Sequence, residues 1–376
     1  MNIERFNSIM YDIVLEEGEL KITSLLQTFQ NAFAQNITQP NPSTADSFLK
    51  ARQALWEALA ACRSNQFPPS QKAFVDFIGA TKFVGNGLKE ELERILEQNA
   101  SLPGQAVAEV QKHVQQTLEF IARATAANKT LVKLNIGHDF TGPDEYEVGV
   151  LLPTSLFNND LEGLQKELHK LNQHMKVFGE LAADDVSSPK IRCVTNGSVD
   201  LFLEANAPVA AFLAVAIERI VGLYLHVLQI KKLRKEMEET KVPGKLLKPI
   251  EEHEKELIPE ELEKIAESLF KEYRKKPDKT RDPELRTNLT KALTYLIKRL
   301  DQGVDFEVTP PTEFEIPKED ATEKDKKEYA KKLDEAKALS ERSAKIKELP
   351  KREKPILLLP EPDDVGEQKE PPSQST

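Results

Sequence analysis

The sequence predicts a mainly helical α+β protein: an N-terminal helical domain, a central small mixed sheet of three or four strands packed on helices, and a charged, partly disordered C-terminal tail. Three observations predict it. The first third places apolar side chains at three- and four-residue steps, the pattern of helices with one buried face. Across 145–240 an alternating stretch, a helical stretch, a hairpin signal and a long apolar stretch follow one another without a break. Beyond Pro310 the composition shifts to Lys, Glu, Asp and Pro, which bury too little apolar surface to offset the entropy of ordering. The expected segments are 1–128, 129–308 and 309–376.

In the helical domain Ile22, Leu25, Leu26, Phe29 and Phe33 share one helical face. Pro40 and Pro42 precede a helix from about Ser43 that carries Leu55, Trp56, Leu59 and Cys62, and Pro68 and Pro69 end its connection. Phe74, Phe77 and Ile78 mark a third helix, Leu88, Leu92 and Leu96 a fourth, and Val107, Val110, Val114, Leu118 and Ile121 a fifth. The loops between them are short, which favours antiparallel neighbours.

The character changes at Leu131, where Val132, Leu134 and Ile136 lead into the turn-rich stretch 137–144. Tyr146, Val148, Val150 and Leu152 then alternate with Glu145, Glu147 and Gly149, a strand with one buried face that Pro153 closes. Asn159 with Glu162 three residues on is a helix-capping pair. Behind it Leu161, Leu164, Leu168, Leu171, Met175 and Phe178 draw one narrow seam on an exposed helix.

Two further strands, 190–195 and 198–203, are joined by Asn196-Gly197, a hairpin signal. A two-residue loop sets Cys193 opposite Asp200. A three-residue loop pairs Cys193 with Val199 and Ile191 with Leu201, keeps like with like, and is the preferred register.

The helix at 208–240 carries a coiled-coil-like seam of Leu213, Ala216, Ile220, Leu223, Val227, Ile230 and Met237. Ile217, Val221, Tyr224, Leu225 and Leu228 add apolar surface on other sides, so they are the expected interaction residues unless the domain itself covers them. Ile258, Leu262, Ile265 and Leu269 mark the next helix, Leu285, Leu289, Leu293 and Ile297 another, and 304–308 a returning strand. In the tail, 319–348 reads as a solvated helix and Ile356 to Leu359 as a short sticky run able to add a strand to a partner's edge.

With 376 residues and 39% apolar composition the chain can build two cores and a tail. A net charge of −10 disfavours a protein whose main task is gripping a phosphate backbone. Cys62 and Cys193 are too few for a disulfide framework and are expected to be reduced and buried. The amino terminus lacks the basic start and apolar run of a secretory signal, which predicts a cytoplasmic protein. The stretch 207–230 is long enough to span a bilayer, but Glu218 and Arg219 at its middle argue for a buried helix and no membrane span.

Candidate sites are few. Glu218, Gly222, His226 and Gln229 form a polar stripe on the apolar helix, either an acid–base pair (Glu218 and His226 as catalytic candidates) or the solvent side of a wide helix. Six scattered histidines, His113, His138, His169, His174, His226 and His253, show no metal-ligand spacing and read as solvated helix residues; no metal and no cofactor is expected. Gly85-Asn86-Gly87 reads as a capping turn rather than an anion loop. His138, Asp139, Asp144 and Glu145 are turn chemistry or a carboxylate site, and Asp184 and Asp185 lie in a loop. Lys231, Lys232, Arg234 and Lys235, continued by Lys241, Lys245 and Lys248, form a basic patch interleaved with glutamates, which favours a solvated face over a nucleic-acid interface.

The leading expectation is a non-enzymatic cytoplasmic protein-protein interaction or assembly protein, with a protein partner or a homo-oligomer. The alternative is a sensor or regulatory subunit of a multi-protein bacterial system, phage defence for example, that binds nucleic acid or an effector. The third is an enzyme using the Glu218/His226 stripe.

Overall fold

The computed structural model describes residues 3–138, 144–195, 199–240, 243–274, 276–311, 314, 322–345, 355 and 357. The chain forms two compact units, 1–140 and 141–376.

The first unit is helical: α1 (Ile3–Leu20), α2 (Ile22–Thr38), α3 (Pro42–Ala60), α4 (Pro69–Phe77), α5 (Gly85–Gln98) and α6 (Pro103–Lys133), with short 3-10 turns before α4 and α5. Local chemistry sets the breaks. Lys21, left-handed at φ 53°, separates α1 from α2, and Asn41 caps α3 in a reciprocal box with Thr44 ahead of Pro42. The glycines in the first turn of α5 answer to close approach: a side chain on Gly87 would strike the Thr81 carbonyl, and Asn65 Oδ1 already accepts from the Asn86 amide at 2.7 Å. The interior is split. Leu26, Phe29, Leu55, Leu59, Leu88 and Leu92 anchor one apolar cluster, and Ile9, Met10, Ile13, Phe67 and Val75 a smaller second one. Helix α6 feeds both, through Val110 and Val114 and then Ala124, and runs five residues past the expected end of the helical domain, to Lys133.

The second unit contains β1 (Tyr146–Leu152), α7 (Leu161–Ala183), β2 (Ile191–Thr195), β3 (Val199–Ala205), α8 (Ala207–Glu239), α9 (Gly244–Tyr273), α10 (Asp282–Asp301), β4 (Asp305–Thr309) and α11 (Glu323–Lys345). The strands form one sheet in the order β2-β3-β1-β4, antiparallel at every pairing, where a mixed sheet was expected. Tyr146, Val148, Val150 and Leu152 enter the core as their alternation predicts. The other face of β1 is buried as well: Glu147 is paired with Arg192, and Gly149 has Glu307 lying where a side chain would stand.

The β2–β3 register differs from both sequence-derived options. Val194 faces Leu201 and Thr195 faces Asp200, with an irregularity between Ile191 and Cys193 that returns Ile191 to Leu203. Strand β1 decides this, because Val150↔Leu201 and Val148↔Leu203 fix which residues of β3 face the core and the edge strand must follow. Asn196 and Gly197 lie outside the described residues.

Helix α7 is capped by Asp160, which accepts from the Glu162 and Gly163 amides; the expected cap, Asn159, sits left-handed one residue too early. Its buried face is wider than a seam and takes in Glu167, His174, Val177, Leu181 and Ala182. Helix α8 is the hub of the unit, touching α7, α9, α10, α11, β1 and β4. It is the one helix among the described residues long and apolar enough to cross a membrane, yet 61% of that window is buried inside the chain.

Helix α11 corrects the expectation of a solvated tail helix. Lys332, Ala336, Leu339 and Ser343 share one face; Ala336 and Leu339 are buried and Ser343 Oγ donates to the Val308 carbonyl at 2.7 Å. The sparse seam suffices because α8 and β4 complete it. Leu357, from the sticky run, is likewise buried in the unit's own core, its amide donating to Asp301 Oδ2 at 2.7 Å. The neighbouring residues of that run lie outside the described ones.

Candidate functional site

The structure disperses most of the sequence-derived candidates. Ile217, Val221 and Tyr224 are 1%, 4% and 2% exposed, and Leu225 and Leu228 pack against the same core, so the expected interaction face of α8 is covered by its own helices and sheet. Glu218 and His226 stand two turns apart, about 12 Å along the axis, with His226 exposed. Glu218 pairs with Arg342 of α11 at 3.3 Å and Arg219 with Glu272 of α9 at 2.9 Å. Within the stripe Glu218 is therefore a tertiary clamp, and the helix does not bring it against His226. Lys232, Arg234 and Lys235 each face a glutamate one turn on, Glu236, Glu238 and Glu239, which neutralises the basic patch within its own helix. Lys241 is outside the described residues, as is the Lys245 side chain.

Among the histidines, His113 and His174 are buried rather than solvated. His174 stacks on Tyr295 at 4.4 Å and His138 meets Tyr11 in a tilted contact at 4.5 Å; Asp139 is outside the described residues. No group of three or more His, Cys, Asp or Glu able to hold a metal occurs among the described residues. Neither cysteine forms a disulfide; Cys62 is buried, and burial pushes its thiol up to about 12, while Cys193 is half-buried on the edge strand.

Sequence reasoning missed a buried polar network in the second unit. Glu167 Oε1 accepts from the Tyr295 hydroxyl at 2.6 Å and from Arg299 Nε at 2.6 Å, and Oε2 accepts from Arg299 Nη2 at 2.7 Å. Arg299 Nη1 donates to Gln302 Oε1 at 2.8 Å. Burial, and then the Glu167 charge, raise the Tyr295 hydroxyl well above its ordinary range. The bidentate geometry locks α7 to α10. This network closes the base of a polar cleft of about 340 Å³ whose rim carries Asp160, Glu162, Lys166 and Lys170. Its charges are of both signs, and the Lys166 ammonium is already held by Glu162 at 2.6 Å.

A second cleft, of about 450 Å³, opens where β1 begins, β3 ends and the first turns of α8 face the last turns of α7. Its floor is apolar and buried: Val148, Met175, Leu203 and Leu213, with half-buried Val209 beside them. Among the described residues its rim carries Asp144, Glu145, Asp185 and Glu204 together with Lys190. Asp185 is held below the usual carboxylate range by the Ser187 amide and then its hydroxyl, which keeps it ionised. Lys190 stands 3.8 Å from Glu204, an exposed pair, and Asp144 is met at 2.9 Å by Lys332 of α11. Volume and lining match a small-molecule site, a mostly apolar hollow with a few charged groups at its mouth. The sequence flags Asp144, Glu145 and Asp185 as turn or loop residues and Met175 and Leu213 as members of helical seams, because no local pattern marks where two buried faces fail to meet.

Comparison with protein-family models, with curated proteins and with solved structures finds no match for this chain.

Proposed function

We propose that this chain is a binding protein of the sensor or regulatory class, whose α+β unit takes a small effector molecule in the cleft between β1, β3, α7 and α8. One observation carries this: a 450 Å³ hollow with a charged mouth, whose buried apolar floor is built on β1, β3, α7 and α8. The dispersal of Glu218 and His226 supports binding over chemistry. The neutralised basic helix argues against nucleic acid as the ligand, and the chain's water-facing charged helices fit a cytoplasmic setting. The test is a ligand-observed NMR screen of a fragment library against the full chain and against Val209→Trp, which fills the cleft from the α8 side. Hits lost in the variant support the assignment; an unchanged hit list overturns it.

The assembly reading retains one supporting observation. Strand β2 is an edge strand whose Ile191 and Val194 are 59% and 53% exposed, a surface suited to pairing with another strand. If it mediates self-association, Val194→Lys shifts the sedimentation coefficient toward the monomer; an unchanged coefficient removes this reading.

A further inference from the structure

We infer that the occupant of the α7–α8 cleft is an amphiphilic organic cation, an amine or guanidinium on an apolar body, and that its charged head competes with Lys332 for Asp144. This deepens the effector-site reading and rests on it.

Charge complementarity selects the class. Four carboxylates line the mouth, met by Lys190 at Glu204 and, from α11, by Lys332 at Asp144, so the carboxylates outnumber the ammonium groups. An anionic head would meet like charge from Asp144, Glu145, Asp185 and Glu204, whereas a cation gains from each of them. The first turn of α8 does not reverse this, because Asn206 Oδ1 already accepts from the Val209 amide at 3.0 Å. The body of the ligand is set by the floor, where Val148, Met175, Leu203 and Leu213 offer no polar side-chain atom. A hydrophilic cation would leave that floor wet; an alkyl or aryl amine covers it while its head stays at the partly solvated rim.

Lys332 is the chain's own version of that head. It reaches Asp144 from α11 at 2.9 Å, with both side chains partly exposed at 41% and 34%. An exposed pair of this kind is weakly held, so an incoming cation can displace it. The displaced contact helps dock α11, together with Arg342–Glu218, Ser343 to the Val308 carbonyl, and the Ala336 and Leu339 side chains. Cation binding therefore loosens α11, which gives a sensor its output.

The experiment is calorimetric titration of the full chain with octylamine, 1-octanol and octanoate, which share one tail and differ in head charge. The expected order is octylamine first, about tenfold tighter than octanol, with octanoate weakest. Glu204→Gln, which leaves α11 untouched, lowers octylamine affinity and leaves octanol unchanged. Lys332→Met raises octylamine affinity by up to about fivefold, and octylamine speeds amide exchange within α11. Equal binding of all three probes, each lost in Val209→Trp, overturns the cation assignment and leaves the cleft standing as a site. No binding by any probe overturns both. Octylamine binding that Lys332→Met does not alter overturns the competition.

Discussion

Residues 1–140 and residues 141–376 both bury acidic side chains on neutral donors, as Glu16 and Asp301 show, but the second unit also buries them against arginine. In the first unit Glu16, 4% exposed, accepts from the Ser64 amide and, at 3.2 Å, from the Ser64 hydroxyl, so its partners are neutral. Burial raises it, and raises nearby Asp12 to about 6, against which Arg63 pulls only weakly. In the second unit Glu167 and Glu147 are each held by a buried or half-buried guanidinium, Arg299 and Arg192. Neutral donors offset part of the desolvation of Glu16, whereas an arginine fork turns a buried carboxylate into a brace between elements. The cores match this contrast. The first unit divides its interior into two clusters joined by α6, and the second gathers sheet, α7, α8, α9 and α10 into one.

The sharpest way to break the comparison is Arg299→Met. It leaves buried Glu167 with the Tyr295 hydroxyl but without its guanidinium and costs about 3–5 kcal/mol, read as a lower denaturant midpoint and faster exchange of the α10 amides. Replacing Glu167 with Met as well recovers most of that loss; a double variant as unstable as the single would show that the pair is not what braces α7 to α10. Next in size is Leu339→Ala, which removes a side chain 5% exposed between α11 and the core. A loss of about 2–3 kcal/mol is expected, confined to α11 and visible as selective proteolysis within 323–345.

In the first unit the effect is one of pH. Asp12 has a folded pKa of about 6 against an ordinary 3.8. Its carboxyl thus favours the folded state most below about 4 and progressively loses that contribution as pH rises through 6. Asp12→Asn removes the titration, so its melting temperature should exceed that of the native chain above pH 6 and converge with it near pH 4. A constant offset at every pH would refute the assignment. The smallest effect is Lys232→Gln, a change of under about 0.5 kcal/mol, because the lost partner is an exposed Glu236 at 3.9 Å. A larger loss, or an effect on nucleic-acid retention, would revive the basic patch.

Much of the fold was legible because its signals are local. Alternation at 146–152, the apolar steps of α2, α5 and α10, and the run that became α8 each record a burial pattern within a few residues of itself. Asp160 taking the cap from Asn159 shows the limit of such signals, since a shift of one residue is settled by backbone geometry. The cleft was less visible. Asp144, Glu145 and Asp185 could be named, but their convergence with Met175 and Leu213 depends on how far α7 stands from α8 at one end of the sheet.

By itself the sequence determined the helical start, the strand-helix-hairpin-helix core and the burial of α8, because periodicity and charge placement dictate which faces must leave water. Tertiary structure decided what covers α8, which register β2 adopts, that the sparse α11 seam docks, and that Glu167 meets Arg299 across 132 residues. These are choices among partners, and a side chain carries in its own neighbourhood of the chain no record of which distant surface will complete it.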